Sequence, residues 1–171
     1  MRTLKALWAD FWDWYQQHYR LNITVAATLF ALQLVHLTWL LSEVIWARLF
    51  GDPLVHLGGI FRVFIVLVDY TEVPALIGVS LIYVNELRQG FSWKAVLFLF
   101  FLNSQWLHLF WITDEFVVGA FGGAGVALPA WLAWVAILID YAEVPVIIDT
   151  FRKMLAARRE GRLAGFMRDD L

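Results

Sequence analysis

The sequence predicts an all-α membrane protein. Four transmembrane helices form two tandem, parallel helical hairpins around a pseudo-two-fold axis along the membrane normal, with an amphipathic interfacial helix before them and a basic C-terminal helix after. Three observations predict this. Hydrophobic residues make up 61% of the 171 positions and mean hydropathy is +0.68, far above soluble domains, where apolar usage is about 45–50%. Four apolar stretches are each long enough for the roughly 20 residues that cross a hydrocarbon core. The costly polar residues inside those stretches repeat at a fixed offset.

The first segment, 1–20, places Leu4, Trp8, Phe11, Trp12, Tyr15 and Tyr19 at three- and four-residue spacing, with Arg2, Lys5, Asp13, Gln16, Gln17 and Arg20 between them. This is the pattern of a helix lying in the membrane interface. A signal peptide fits less well, because the apolar core begins late and no small-residue cleavage site precedes a polar start.

Apolar spans are expected at 22–48, 58–85, 93–118 and 128–151. Only helices or closed barrels satisfy every backbone group in lipid, so these are read as helices. The breaks carry turn residues: Gly51, Asp52 and Pro53, then Arg88, Gln89 and Gly90, then the glycine-rich run 119–125 with Pro129 as a first-turn proline of the last helix. The domain division is 1–20 for the interfacial helix, 21–88 and 92–151 for the two hairpin repeats, and 152–171 for the basic tail.

Orientation follows from Lys and Arg. Eleven of these residues fall in the N-terminal segment, the second connection and the tail, against Arg48 and Arg62 on the opposite face. The bias places both termini in the cytoplasm, and the tail is expected to run along the anionic leaflet. The expected location is a bacterial inner membrane. The expected partners are the lipid bilayer and a homo-oligomer or larger membrane complex. Nucleic acid is excluded as a partner for want of a basic patch interleaved with base-stacking aromatics. The absence of cysteine excludes disulfides and thiolate chemistry.

The repeat carries the chemistry. Gln33, His36, Trp39 and Glu43 recur as Gln105, His108, Trp111 and Glu115 at an offset of 72, and Asp69-Tyr70-Thr71-Glu72-Val73-Pro74 recurs as Asp140-Tyr141-Ala142-Glu143-Val144-Pro145 at an offset of 71. Each unit has two crossings, so the copies share one orientation. Intervening residues have drifted, Leu34 against Trp106 and Ala75 against Val146, while the polar ones match.

At 100° per residue, Gln33, His36, Trp39 and Glu43 lie within about 120° of one helix face. Asp69 and Glu72 share a face of the next helix, and the same holds for the second copy. His36, His108, Asp69, Glu72, Asp140 and Glu143 therefore meet near the midplane, with Glu43 and Glu115 roughly 10 Å nearer the outer face. Each ionised acid at the bilayer centre costs about 2.5–3.5 kcal/mol. No Lys or Arg falls between Arg20 and Arg48, between Arg62 and Arg88 or between Lys94 and Arg152, so protons or metal ions must supply the compensating charge.

Histidine nitrogen beside carboxylate oxygen suits iron, zinc and manganese. The reading is a di-metal site of two divalent ions ligated by His36, Asp69, Glu72, His108, Asp140 and Glu143. Glu43 and Glu115 serve as outer ligands or admit cations, and Gln33 and Gln105 orient the ligands from behind. Ferritin-like four-helix bundles build sites by the same logic but from a different motif. Pro74 and Pro145 free the carbonyls of Tyr70 and Tyr141, which either face the site or only shape the bundle. Trp39 and Trp111 are read as packing, Tyr70 and Tyr141 as pointing away, Asp114 as local to the outer end, and His18 and His56 as interfacial.

Three functions fit: metal-dependent redox or hydrolytic chemistry on a substrate arriving through the bilayer, a divalent-cation or proton-coupled transporter using the same carboxylates, and a haem- or pigment-binding subunit with His36 and His108 as axial ligands.

Overall fold

The computed structural model describes residues 3–56, 58–113 and 129–169, and these are helical throughout apart from short connections. Helix α1 spans Leu4–Gln17, α2 Tyr19–Trp39, α3 Trp46–Phe50, α4 Ile60–Tyr70, α5 Glu72–Gln89, α6 Trp93–Ile112, α7 Ala130–Tyr141 and α8 Val144–Asp169. A π-helical segment, Leu40–Ile45, joins α2 to α3 without a break. Asp114, Glu115 and the glycine-rich run 119–125 lie outside the described residues.

The molecule is polar inside and apolar outside. Gln33 is 2% exposed and Gln105 fully buried, whereas Phe100 and Leu138 are each 68% exposed. Water-soluble proteins bury such side chains in the opposite sense, and a hydrocarbon solvent accounts for the inversion. Among the described residues three helical stretches are long and apolar enough to cross a membrane: Tyr19–Phe50, Val63–Gln89 and Trp131–Gly161. Helix α6 has the length, 20 residues, and carries Lys94, Asn103, Gln105 and His108.

Several boundaries differ from the sequence expectation. The first crossing begins at Tyr19, separated from α1 by His18 alone, because Asn22 and Arg20 are tolerated within a helix that starts at the interface. The second stretch is two helices, with Thr71 between them at φ −69°, ψ −13°. The fourth is likewise divided by Ala142 at φ −67°, ψ −15°. Pro74 and Pro145 explain both. A proline cannot donate to the carbonyl four residues earlier and its ring clashes with it, so the preceding turn tightens toward 3₁₀ geometry. Pro129 is the N-cap of α7, in extended conformation, one position earlier than expected. The C-terminal segment is no separate helix, since α8 runs unbroken from Val144 to Asp169.

Small residues allow α2 and α5 to approach closely. A Cβ on Gly78 would stand 3.4 Å from the Ala26 side chain, and Ala27, Ala75 and Val79 beside them are fully buried. Close approach through small residues is the usual device where lipid supplies no hydrophobic drive between helices. Gly78→Leu is expected to destabilise the folded protein by about 1–3 kcal/mol through overpacking; a detergent-denaturation midpoint equal to wild type would remove this seam from the account.

Helix α1 packs against the bundle. Trp12 and Tyr15 are each 2% exposed, the Arg88 guanidinium stands 4.2 Å from the Trp12 ring centroid, and Gln16 donates to Asn85 at 2.5 Å. Burial, and then the neighbouring Tyr19, push the Tyr15 hydroxyl up from its ordinary value. At the same end Lys94 and Lys153 bind Asp149 at 3.0 and 3.1 Å, Lys153 also meets Glu86, and the Tyr83 hydroxyl donates to Asp149 at 2.9 Å. This network ties α5, α6 and α8 together below the midplane.

Candidate metal centre

The helix breaks set the site. Asp69 ends α4 and Glu72 begins α5, while Asp140 lies in the last turn of α7 and Glu143 directly precedes α8. The expectation of one continuous helix carrying each Asp and Glu pair is therefore corrected: each pair straddles a break. Both pairs remain buried, at 3% or 4% exposure for all four acids. A carboxylate just before or within the first turn of a helix, as with Glu72 and Glu143, also faces the positive end of the helix dipole.

Gln33 and Gln105 hold these breaks. Gln33 Nε2 donates to the Val68 carbonyl at 3.3 Å, and Gln105 Nε2 to the Ile139 carbonyl at 2.7 Å. Positions 33 and 105, and 68 and 139, correspond under the sequence repeat. Each carbonyl also accepts from the backbone N–H three residues on, that of Thr71 or Ala142, so each Gln adds a side-chain donor from the neighbouring helix to the tightened turn. They act on the neighbouring backbone, where the sequence reading had them orienting ligand side chains.

Four of the six expected ligands form one chain of contacts. His36 Nδ1 meets Asp69 Oδ1, His36 Nε2 lies 3.7 Å from Asp140 Oδ2, and His108 Nδ1 lies 2.8 Å from Asp140 Oδ1. The two imidazoles are 5.5 Å apart at 78°. Glu72 and Glu143 meet each other across the bundle. Asp140 approaches both histidines, so the two halves of the repeat share one acid.

These contacts are close without being aligned as hydrogen bonds. His36 Nδ1 and Nε2, Asp69 Oδ1, Glu72 Oε1 and Asp140 Oδ1 are all buried with no hydrogen-bond partner. Orphaned buried polar atoms are costly and rare. His36, Glu72 and Asp140 also border, with His108 and Glu143, a cavity of about 10 Å³, the space of a single ion or water; Asp69 lies outside it, against His36 Nδ1. One ligand atom from each of His36, His108 and Asp140 falls within 4.8 Å of the others, a donor set of two nitrogens and one oxygen that suits a borderline divalent metal.

Glu43 is not at the cluster. It lies in the π-helical segment and accepts from Trp39 Nε1 at 2.5 Å, which gives Trp39 a polar role that the sequence reading had left as packing. The ring of Trp39 is 5.6 Å from that of His36, so a chain of contacts runs from Glu43 to the site. In the π segment the Ser42 carbonyl accepts from Leu54 N–H at 2.8 Å, and just before it, in α2, the Leu37 carbonyl accepts from the Tyr141 hydroxyl at 3.1 Å. Tyr141 thereby ties α7 to α2. Tyr70 bonds Thr113 at 2.8 Å. π-Bulges cluster at functional sites, and no sequence signal marked this one.

Toward Tyr83 and Asp149 the site is closed by Leu76, Val79, Val146 and Ile147, all 0–3% exposed. They occupy the two turns that follow Glu72 and Glu143.

Comparison of the chain with family models, with curated proteins and with solved structures finds no match, so the reading of this site rests on its own residues and geometry.

Proposed function

We propose that this is an integral-membrane metalloprotein whose four crossings, α6 being one of them, enclose a divalent transition-metal site at the bilayer midplane. The observation that carries the reading is the meeting of His36, His108 and Asp140, one ligand atom of each within 4.8 Å of the others, beside an ion-sized cavity that Glu72 and Glu143 also border. His36, His108 and Asp140 are the first ligands, and Asp69 fixes the ring of His36 through Nδ1. Glu72 and Glu143 together hold a second ion or a shared proton, because two carboxyl groups in contact do not both remain ionised without one. A metal in such a site polarises a bound oxygen or lowers the pKa of bound water, which suits redox or hydrolytic chemistry in a place shielded from solvent.

Elemental analysis of protein purified without added chelator tests the proposal. The expected result is one to two equivalents of iron, zinc or manganese per chain. Less than a tenth of an equivalent after metal-replete growth and purification, with the fold intact by circular dichroism, would sink it.

One observation favours a second reading. Asp69, His36, Asp140 and His108 alternate acid and imidazole in a single line of contacts, and each ring offers a nitrogen to either side. Such a line can pass protons, as a proton-coupled transporter requires. A haem or pigment is not supported, since a cavity of about 10 Å³ between rings 5.5 Å apart has no room for a macrocycle.

A further inference from the structure

The two hairpins are built alike but closed unlike. Helix α2 packs along α5, whereas α6 reaches α5 and α7 and touches α8 only sparsely. A groove of about 510 Å³ is left between α6 and α7. One wall of it is formed by Phe100, Asn103 and Leu107, the other by Leu138, Ile139 and Ala142.

Asn103 is the anomaly in this wall. It is exposed and stands ten residues into a helix that begins at Trp93, about 15 Å along its axis, hence near mid-bilayer. Its Nδ2 donates to the Leu99 carbonyl at 2.7 Å, leaving Oδ1 and the second amide hydrogen to the outside. A lipid chain offers neither a donor nor an acceptor, and an unpaired amide in hydrocarbon costs several kcal/mol. The corresponding position in the first hairpin is Ala31, so the repeat does not require an amide here.

The surrounding pattern indicates what meets it. Phe100, Asn103, Leu107 and Phe110 follow one another at intervals of three, four and three, the spacing of a helix–helix seam. Phe100 and Phe110 are each 68% exposed and Leu107 54%. Every copy of a membrane protein inserts with the same orientation, so in a two-fold pair the same residue meets itself at the same depth. Asn is self-complementary in that arrangement, since each Oδ1 accepts from the other Nδ2. Buried Asn pairs of this kind set register and partner number in helical seams, and the groove beside the seam receives the partner's Phe100 and Leu107.

We propose that α6 is a homodimer interface, in which two copies of the chain pair around a two-fold axis through Asn103. The chain has no cysteine, which makes the test direct. Leu107→Cys, which leaves Asn103 in place, is expected in reconstituted vesicles to form a disulfide-linked dimer under mild oxidation, about tenfold more than Val35→Cys, the matching exposed position in the first hairpin. Separately, Asn103→Leu should weaken dimerisation measured by energy transfer between labelled chains by about 3- to 30-fold, the range found for interhelical polar contacts in membranes. Equal cross-linking at positions 107 and 35 would overturn the proposal and leave the groove to lipid. So would a wild-type chain that stays monomeric at every protein-to-lipid ratio.

Discussion

Protein carrying Asp140→Ala is expected to retain almost no metal, with affinity lowered by at least about 100-fold, while Asp69→Ala loses about 10- to 100-fold. The inequality follows from geometry. Asp140 approaches both His36 and His108, at 3.7 and 2.8 Å, and offers a ligand atom to the same ion. Asp69 meets only His36, through the ring nitrogen on the far side from Asp140, and removing an outer partner of a ligating histidine typically costs 10- to 100-fold. The sequence repeat makes Asp69 and Asp140 equivalent, so a symmetric two-half-site arrangement predicts equal losses. Competitive titration with a chromogenic chelator distinguishes the two outcomes, and equal losses would show that Asp140 does not bridge the halves.

Removing the metal is expected to lower the thermal midpoint of the wild-type protein by about 8–16 °C. A site held at about 1,000 times its dissociation constant contributes about 4 kcal/mol, and for a chain of this length each kcal/mol corresponds to roughly 2–4 °C. The sign follows because four buried acids have no Lys or Arg within their stretches of sequence, and a bound cation would relieve their repulsion. Asp140→Ala is the control, since its midpoint should not respond to the chelator. A wild-type midpoint insensitive to chelation would show that protons alone balance the acids.

Much of this arrangement was legible in the sequence because polar residues in an apolar chain carry strong signals. The offsets of 72 and 71 identified His36, His108, Asp69, Glu72, Asp140 and Glu143, and all six are buried, at 8% exposure or less. Periodicity could not say which histidine meets which acid, because that depends on how the hairpins pack against each other. It read Asp69 and Glu72 as one helix face, since helical spacing takes no account of the tightening that Pro74 imposes at Thr71. Gln33 was placed with the ligands by its face alone, but its hydrogen bond goes to the Val68 carbonyl in the tightened turn of the next helix. The π-helical segment at Leu40–Ile45 had no sequence mark, and with it the Trp39–Glu43 contact was missed.

The apolar layer of Leu76, Val79, Val146 and Ile147 has an electrical consequence. It places insulating material between the acid cluster and the polar network around Asp149, so the membrane voltage falls across the layer and not along a wet path. An ion reaching a midplane site crosses about half of that voltage. For a divalent cation the work is about 2.3 kcal/mol per 100 mV, close to a fiftyfold change in occupancy. The energised state of the membrane would then bear on how full the site is, through the same four side chains that keep water out.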